Sequence, residues 1–194
     1  MPPQIISILG PPGSSKTTQS ALLAQNFRLT HLNIGAILRA EANNSTSPWS
    51  SLIAANMAAG RIGPKEMSAE MLRVRIEKEG AGGDGDMFLS DGFPRRLDQA
   101  SYFSTLVCPL TCLIVLECAQ EILVQRLEER KRADDTRETI CARIRTFEED
   151  TREVVARFEE EGRVVRVASE GDVGEVFGRV VAGLEGVGVV LKRR

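Results

Sequence analysis

Residues 4–17, QIISILGPPGSSKT, constrain the chain more than any other segment. Gln4–Leu9 is too short for a helix and too evenly apolar for a strand with one wet face, so it reads as a strand buried on both sides. Gly10-Pro11-Pro12-Gly13 stops it at once. Lys16–Asn26 then spaces its apolar residues along one face of a helix. A buried strand, a glycine-bearing loop and a helix in immediate succession form the setting of a phosphate-binding loop. Inward N–H groups and the positive end of the helix there favour a polyanion. Lys16 would reach the outer phosphates, and Thr17 or Thr18 would lie near Mg²⁺. The segment departs from G-x-x-x-x-G-K-[ST] where Ser15 stands in place of glycine. A left-handed backbone at that position would cost serine about 1–2 kcal/mol.

Short apolar runs recur at His31–Ile34, Met87–Ser90, Thr111–Glu117 and Arg163–Ala168. Helical patterns separate them at Ala36–Asn43, Trp49–Ala59, Lys65–Glu79, Leu97–Leu106, Ala119–Arg130, Arg137–Glu161 and Val173–Leu184. Strands alternating with helices predict a five-stranded parallel sheet in a doubly wound α/β fold, with ligands at the carboxyl ends of the strands. The 194 residues suit one domain. The tail, Val187–Arg194, is expected to fray.

Composition narrows the function. Apolar residues make up 42% and charged residues 27%, enough for a substantial core and against disorder. The 25 cations stand against 27 anions, for a net −2, which argues against a nucleic-acid polymer as partner. No run approaches the roughly 18–20 apolar residues that span a bilayer, so no membrane partner is expected. The N-terminus has no basic stretch or small-residue cleavage site of a secretion signal. A single histidine speaks against histidine metal sites and Ser-His-Asp catalysis. Cys108, Cys112, Cys118 and Cys141 lack zinc spacing and read as free thiols of a reducing cytoplasm, the nucleus being open as well.

Two further constellations carry chemistry. Asp91 ends a predicted strand and is followed by Gly92-Phe93-Pro94-Arg95-Arg96. A carboxylate at a strand end beside a phosphate loop suits Mg²⁺, directly or through water, and Arg95 offers a fork of donors to phosphate. The plainer alternative is a turn-capping aspartate and a solvated arginine. The second constellation is Arg126, Arg130, Arg132, Arg137 and Arg143, with Asp134 and Asp135 among them. On its own, such a run is most simply a solvated helix face. His31 and the set Trp49, Met57, Met67 and Met71 read as packing.

GPPGSSKTTQ at 10–19, NIGAILRAE at 33–41, AGRIGP at 59–64, DGFPRRLDQA at 91–100 and RLEER…RADDTRET at 126–139 share an order and spacing. In this the chain resembles the nucleoside monophosphate kinases over nearly its whole length, the eukaryotic uridylate–cytidylate kinase branch above all. The resemblance implies a P-loop three-layer α/β/α fold with a helical acceptor insert at 34–64 and a short lid at 131–138. It implies ATP with Mg²⁺ as phosphoryl donor and a nucleoside monophosphate as acceptor, UMP or CMP before AMP. On the donor side it implies Gly10, Gly13, Ser14, Ser15, Lys16, Thr17 and Thr18 around the phosphates, with Arg126 and Gly171 at the base. On the acceptor side it implies Arg39 and Arg95 at the phosphate. Ile34, Gly35, Gly92, Phe93 and Gln99 would lie near the base, and Arg61, Ile62 and Gly63 would line the same pocket. Arg130, Arg132 and Arg143 would join Lys16 and Arg95 around the transferring group. Asp134, Asp135 and Arg137 would belong to the lid, and Asp91 would hold Mg²⁺ through water. The expected form is a monomer.

The chain departs from the family pattern at Ser15 and at Ala36, where the family carries aspartate. Ile34 is bulky for its position, and Arg130-Lys131-Arg132 makes the lid short. Three readings fit these residues: transfer to a nucleoside monophosphate, transfer to another phosphorylated acceptor, or ATP binding with little transfer.

Overall fold

The computed structural model of the chain describes residues 3–80, 87–130 and 136–194, Arg130 by its backbone alone. Its strands are β1 (Gln4–Leu9), β2 (Thr30–Asn33), β3 (Met87–Asp91), β4 (Cys112–Glu117) and β5 (Val164–Ala168). They form one wholly parallel sheet in the order β2-β3-β1-β4-β5. The helices are α1 (Lys16–Asn26), α2 (Ile34–Ala42), α3 (Ser50–Ala58), α4 (Lys65–Glu79), α5 (Leu97–Leu106), α6 (Gln120–Arg130), α7 (Arg137–Glu160) and α8 (Val173–Gly186).

The apolar runs are continuous because both sheet faces are covered. Ile5 and Leu9 of β1 point with Phe88, Leu113 and Val115 into a core closed by α4, α5 and α7, through Leu72, Phe103 and Val154. Ile6 and Ile8, one residue out of phase, join Leu89, Ile114 and Val167 in the opposite core. There Leu23 of α1 and Val176, Val180 and Leu184 of α8 close the layer. A smaller cluster of Leu123, Val124, Leu127, Ile140 and Ile144 holds α6 to α7. The layers are therefore helix, sheet, helix, as the strand–helix alternation predicts.

Two expectations change. The second strand ends at Asn33, and the next helix starts at Ile34 rather than Ala36. Asn33 takes the N-cap position and its side chain accepts the Ala36 N–H at 2.8 Å, which pulls the helix start forward. The tail does not fray. Arg28 N–H donates to the Lys192 carbonyl at 2.7 Å, Arg194 N–H to the Asn26 carbonyl at 3.2 Å, and Phe27 bridges Arg193. Val189 is buried and Leu191 packs beside it. The apolar run Val189–Leu191 is too short to show a period, so its anchorage is not visible in the sequence.

Candidate active site

The phosphate loop hangs from the carboxyl end of β1. Gly13 has φ +86°, and a Cβ on it would stand 3.0 Å from the Leu123 carbonyl oxygen, so conformation and space both demand glycine. Ser15 is the sole described non-glycine residue at positive φ, at 63° with ψ 21°. Lys16 Nζ donates to the carbonyls of Gly10 at 2.6 Å and Pro11 at 2.9 Å, which folds the ammonium over the loop. Helix α1 has neither a capping side chain nor an acidic residue in its first turn. Its N-terminal dipole and N–H groups are therefore left for an external anion. Ser14 Oγ, fully buried in the loop, has no hydrogen-bond partner.

Asp91 is the node that joins this loop to the neighbouring strands. The register pairs Asp91 with Ile8 on one side and Asn33 on the other. Its Oδ2 accepts from Thr17 Oγ1 at 2.7 Å and Asn33 Nδ2 at 3.0 Å, and His31 Nε2 lies 3.4 Å away. The carboxylate is nearly buried, and no described residue donates to its Oδ1. Thr17 hydroxyl and Asp91 carboxylate are hard oxygen groups of the kind Mg²⁺ takes. Among the described residues no three His, Cys, Asp or Glu gather into a cage. The donor set thus fits a cation that arrives with phosphates better than one held by protein alone.

The next turn carries Arg95. Gly92 has φ +87°, and a Cβ on it would meet Ile34 Cγ2 at 3.4 Å and Arg95 Nη2 at 3.8 Å. Arg95 Nε donates to the Gly92 carbonyl at 3.2 Å, folding the guanidinium back over this turn. Water reaches the group, yet protein crowds it enough that desolvation draws its pKa below the usual arginine range. Asp150 and Asp91 oppose that shift and Arg143 reinforces it. It stays charged. Arg39 folds back along α2, its Nη1 3.3 Å from where a Gly35 Cβ would sit. Two guanidinium forks therefore lie over adjoining turns, an arrangement suited to a phosphate.

Other expected acceptor residues are placed differently. Ile34 and Phe93 belong to the buried core, Phe93 edge-to-face with Phe103 at 5.3 Å, so neither ring nor branch is an open wall. A β-branched residue beginning a helix on a sheet edge buries wherever apolar neighbours receive it. Gln99 is also buried: Oε1 accepts Arg95 N–H at 3.0 Å and Nε2 donates to Ser68 Oγ at 3.3 Å, bracing α5 to α4. Arg61, Ile62 and Gly63 form the exposed to half-buried link between α3 and α4, tied by Arg61 N–H to the Asn56 carbonyl at 2.8 Å.

On the far side Arg126 Nη2 donates to the Ser169 carbonyl at 3.0 Å, and Nη1 lies 3.5 Å from the Gly13 carbonyl. It braces the phosphate loop to the β5–α8 turn, which holds Gly171 at φ +98°. Arg143, on α7, faces Arg95. Arg137 is exposed beside Glu128 at 3.8 Å, and Thr18 is exposed on α1. The Arg130 side chain, Arg132, Asp134 and Asp135 lie outside the described residues, as does most of the 131–138 segment. Sequence reasoning missed Asn33 and His31 as partners of Asp91. The signal was their position at the end of a predicted strand, although only the structure shows that this strand pairs with that of Asp91.

The adenylate kinase family model matches residues 8–163, from within β1 past the end of α7. "Adenylate kinase 1" of Schistosoma mansoni is 36% identical over 190 residues, covering 96% of this chain and 95% of that protein. "UMP-CMP kinase" of Mus musculus is 33% identical over 189 residues, 93% of this chain and 96% of its own length. "Uridylate kinase" of Saccharomyces cerevisiae is 34% identical over 177 residues, 89% and 86%. The matched span contains the phosphate loop, the Asp91 node and both folded-back arginines, and the chain belongs to the adenylate kinase family, an enzyme that transfers a phosphoryl group to a phosphate acceptor.

Proposed function

We propose that the chain transfers the γ-phosphoryl group of Mg-ATP to a nucleoside monophosphate, with UMP or CMP preferred to AMP, and that it does so as a monomer in the cytoplasm. The observation that carries this reading is the short path from donor to acceptor side. Thr17 of the phosphate loop is bonded to Asp91, and Arg95 folds over the turn that Asp91 begins. The pyrimidine preference draws on the uridylate and UMP-CMP kinase relatives. The cytoplasmic setting draws on four free cysteines.

In this reading, residues 34–64 form the acceptor insert and residues 131–138 the lid. N–H groups of residues 13–18 hold the donor phosphates, and Lys16 swings from its two carbonyls to the outer ones. Arg126 and Gly171 border the donor base. Arg39 and Arg95 grip the acceptor phosphate, while Arg130, Arg132 and Arg143 close over the group in transit. Thr17, with Asp91 through water, would hold Mg²⁺, which would supply charge neutralisation to the phosphates. The protein's share is positioning and screening of two mutually repelling anions, since phosphoryl transfer needs little covalent help. Exclusion of water by the closing segments keeps ATP from hydrolysing.

A coupled ADP-release assay with Mg-ATP against AMP, CMP, UMP and GMP tests this. Turnover of one acceptor should fall on the order of 10²–10³-fold in Lys16→Ala and in Arg95→Ala. A second reading, ATP binding with slow transfer, draws on the first turn of α2, which holds no acidic residue. ATP binding without ADP release for any acceptor would favour it and sink the first.

A further inference from the structure

We infer that Asn33 is a positioning residue that locks the Asp91 carboxylate and the acceptor-side helix α2 into one register, an inference resting on the reading above for its kinetic arm. The carboxamide has two ends and both are used. Oδ1 accepts the Ala36 N–H at 2.8 Å and so caps α2. Nδ2 donates to Asp91 Oδ2 at 3.0 Å and lies 3.4 Å from Thr17 Oγ1. Chemistry dictates this orientation, since the flipped amide would set a carbonyl against a carboxylate and an NH₂ against an N–H.

The consequence is a polar chain that runs from the cap of α2 to the phosphate loop. A point beside Gly35 lies 3.3 Å from Arg39 Nη1 and 3.4 Å from Asn33 Oδ1, so the acceptor-side arginine neighbours the cap. Asn33 touches Asp91, and Asp91 touches Thr17 of the phosphate loop. Strand β2 is an edge strand paired only with β3. The seat of α2 relative to the loop therefore rests on one strand pairing, the burial of Ile34 and this side chain, which is the polar tie among them. Thr17, Asn33 and His31 all address Oδ2, which fixes the carboxylate rotamer and reserves Oδ1 for a ligand-borne group. No other side chain of this length both accepts at the cap and donates to a carboxylate. Serine caps without reaching Asp91, and aspartate caps but repels it.

Two substitutions separate capping from positioning. Asn33→Ser keeps a capping oxygen, whereas Asn33→Ala removes it. Both should lower kcat about 5–20-fold with acceptor KM changed less than about threefold, and both should blunt the Mg²⁺-dependent tightening of ATP binding measured by calorimetry. Only Asn33→Ala should lower the melting temperature. In the ligand-free chain, hydrogen exchange at the Gly92 amide, which donates to the Ile8 carbonyl at 3.0 Å, should speed up in both. Wild-type kcat, Mg²⁺ response and exchange in Asn33→Ser, with losses confined to Asn33→Ala, would overturn the inference and leave a cap. Should the unaltered enzyme turn over no nucleoside monophosphate, the functional proposal fails, and the Mg²⁺ titration and the exchange rates still decide the role of Asn33.

Discussion

Ser15 occupies a left-handed backbone at the mouth of the phosphate loop, a conformation that costs an L-residue about 1–2 kcal/mol and costs glycine nothing. Ser15→Gly should therefore raise the unfolding free energy by about 0.5–1 kcal/mol, the gain being trimmed by glycine's freer unfolded chain. Urea denaturation checks it; a loss of stability would mean that the serine has a compensating contact. This strain was legible in advance, because the phosphate-loop pattern places glycine at that position. Asn33 was not. Its capping role is local and belongs to a helix start, but its bond to Asp91 spans 58 residues of sequence and exists only because β2 and β3 pair in that register. Gln99 fell between these cases: the spacing from Arg95 marked it, while its burial against Ser68 depended on how α4 and α5 pack.

At the level of elements, helix starts are where side chains decide most. Asp172 caps α8 by accepting from Gly174 N–H at 2.7 Å and Glu175 N–H at 2.9 Å. Asp172→Ala should cost about 1 kcal/mol, a fall of roughly 2–4 °C in melting temperature for a chain of this size. A scanning-calorimetry shift under 1 °C would mean that Glu175 or water takes over the cap. Strand and helix identity came through in the sequence because short apolar runs between turn signals differ from longer segments whose apolar residues recur at helical spacing. Phase did not: an evenly apolar run carries no sign that Ile5 and Leu9 face one core and Ile6 and Ile8 the other. The acceptor-side residues were harder. Ile34 and Phe93 are apolar, and whether an apolar residue lines a cleft or fills a core is set by neighbours far away in sequence.

For the molecule as a whole, the closing tail and the buried thiols make two checkable statements. Removing Val189–Arg194 forfeits a buried valine and the hydrogen bonds to Asn26 and Arg28, and should lower stability by about 2–4 kcal/mol in urea. An unchanged transition midpoint would show that the docked tail contributes nothing. Burial lifts the Cys112 thiol to about 12, and desolvation lifts Cys108 as well. In the unfolded chain a thiol ionises near 8.5, so between about 8.5 and 12 the unfolded state binds fewer protons than the folded one. The stability that neutral Cys112 contributes is whole below about 8.5 and is lost as pH rises through that window. A thiol-reactive dye at pH 8 should label Cys118 and Cys141 first, and Cys108 and Cys112 only on unfolding. Rapid labelling of all four in the native protein would contradict this.

The central place of β1 has a further consequence in the time domain. Flanked by β3 and β4 and covered on both faces, it is the segment whose amides open only when the whole fold opens. One residue beyond Leu9 the chain becomes the loop to which the proposed function gives the donor phosphates. On that proposal the segment slowest to open and the one that must release a ligand are covalent neighbours, and the sheet's amides should stay protected while the loop binds and releases.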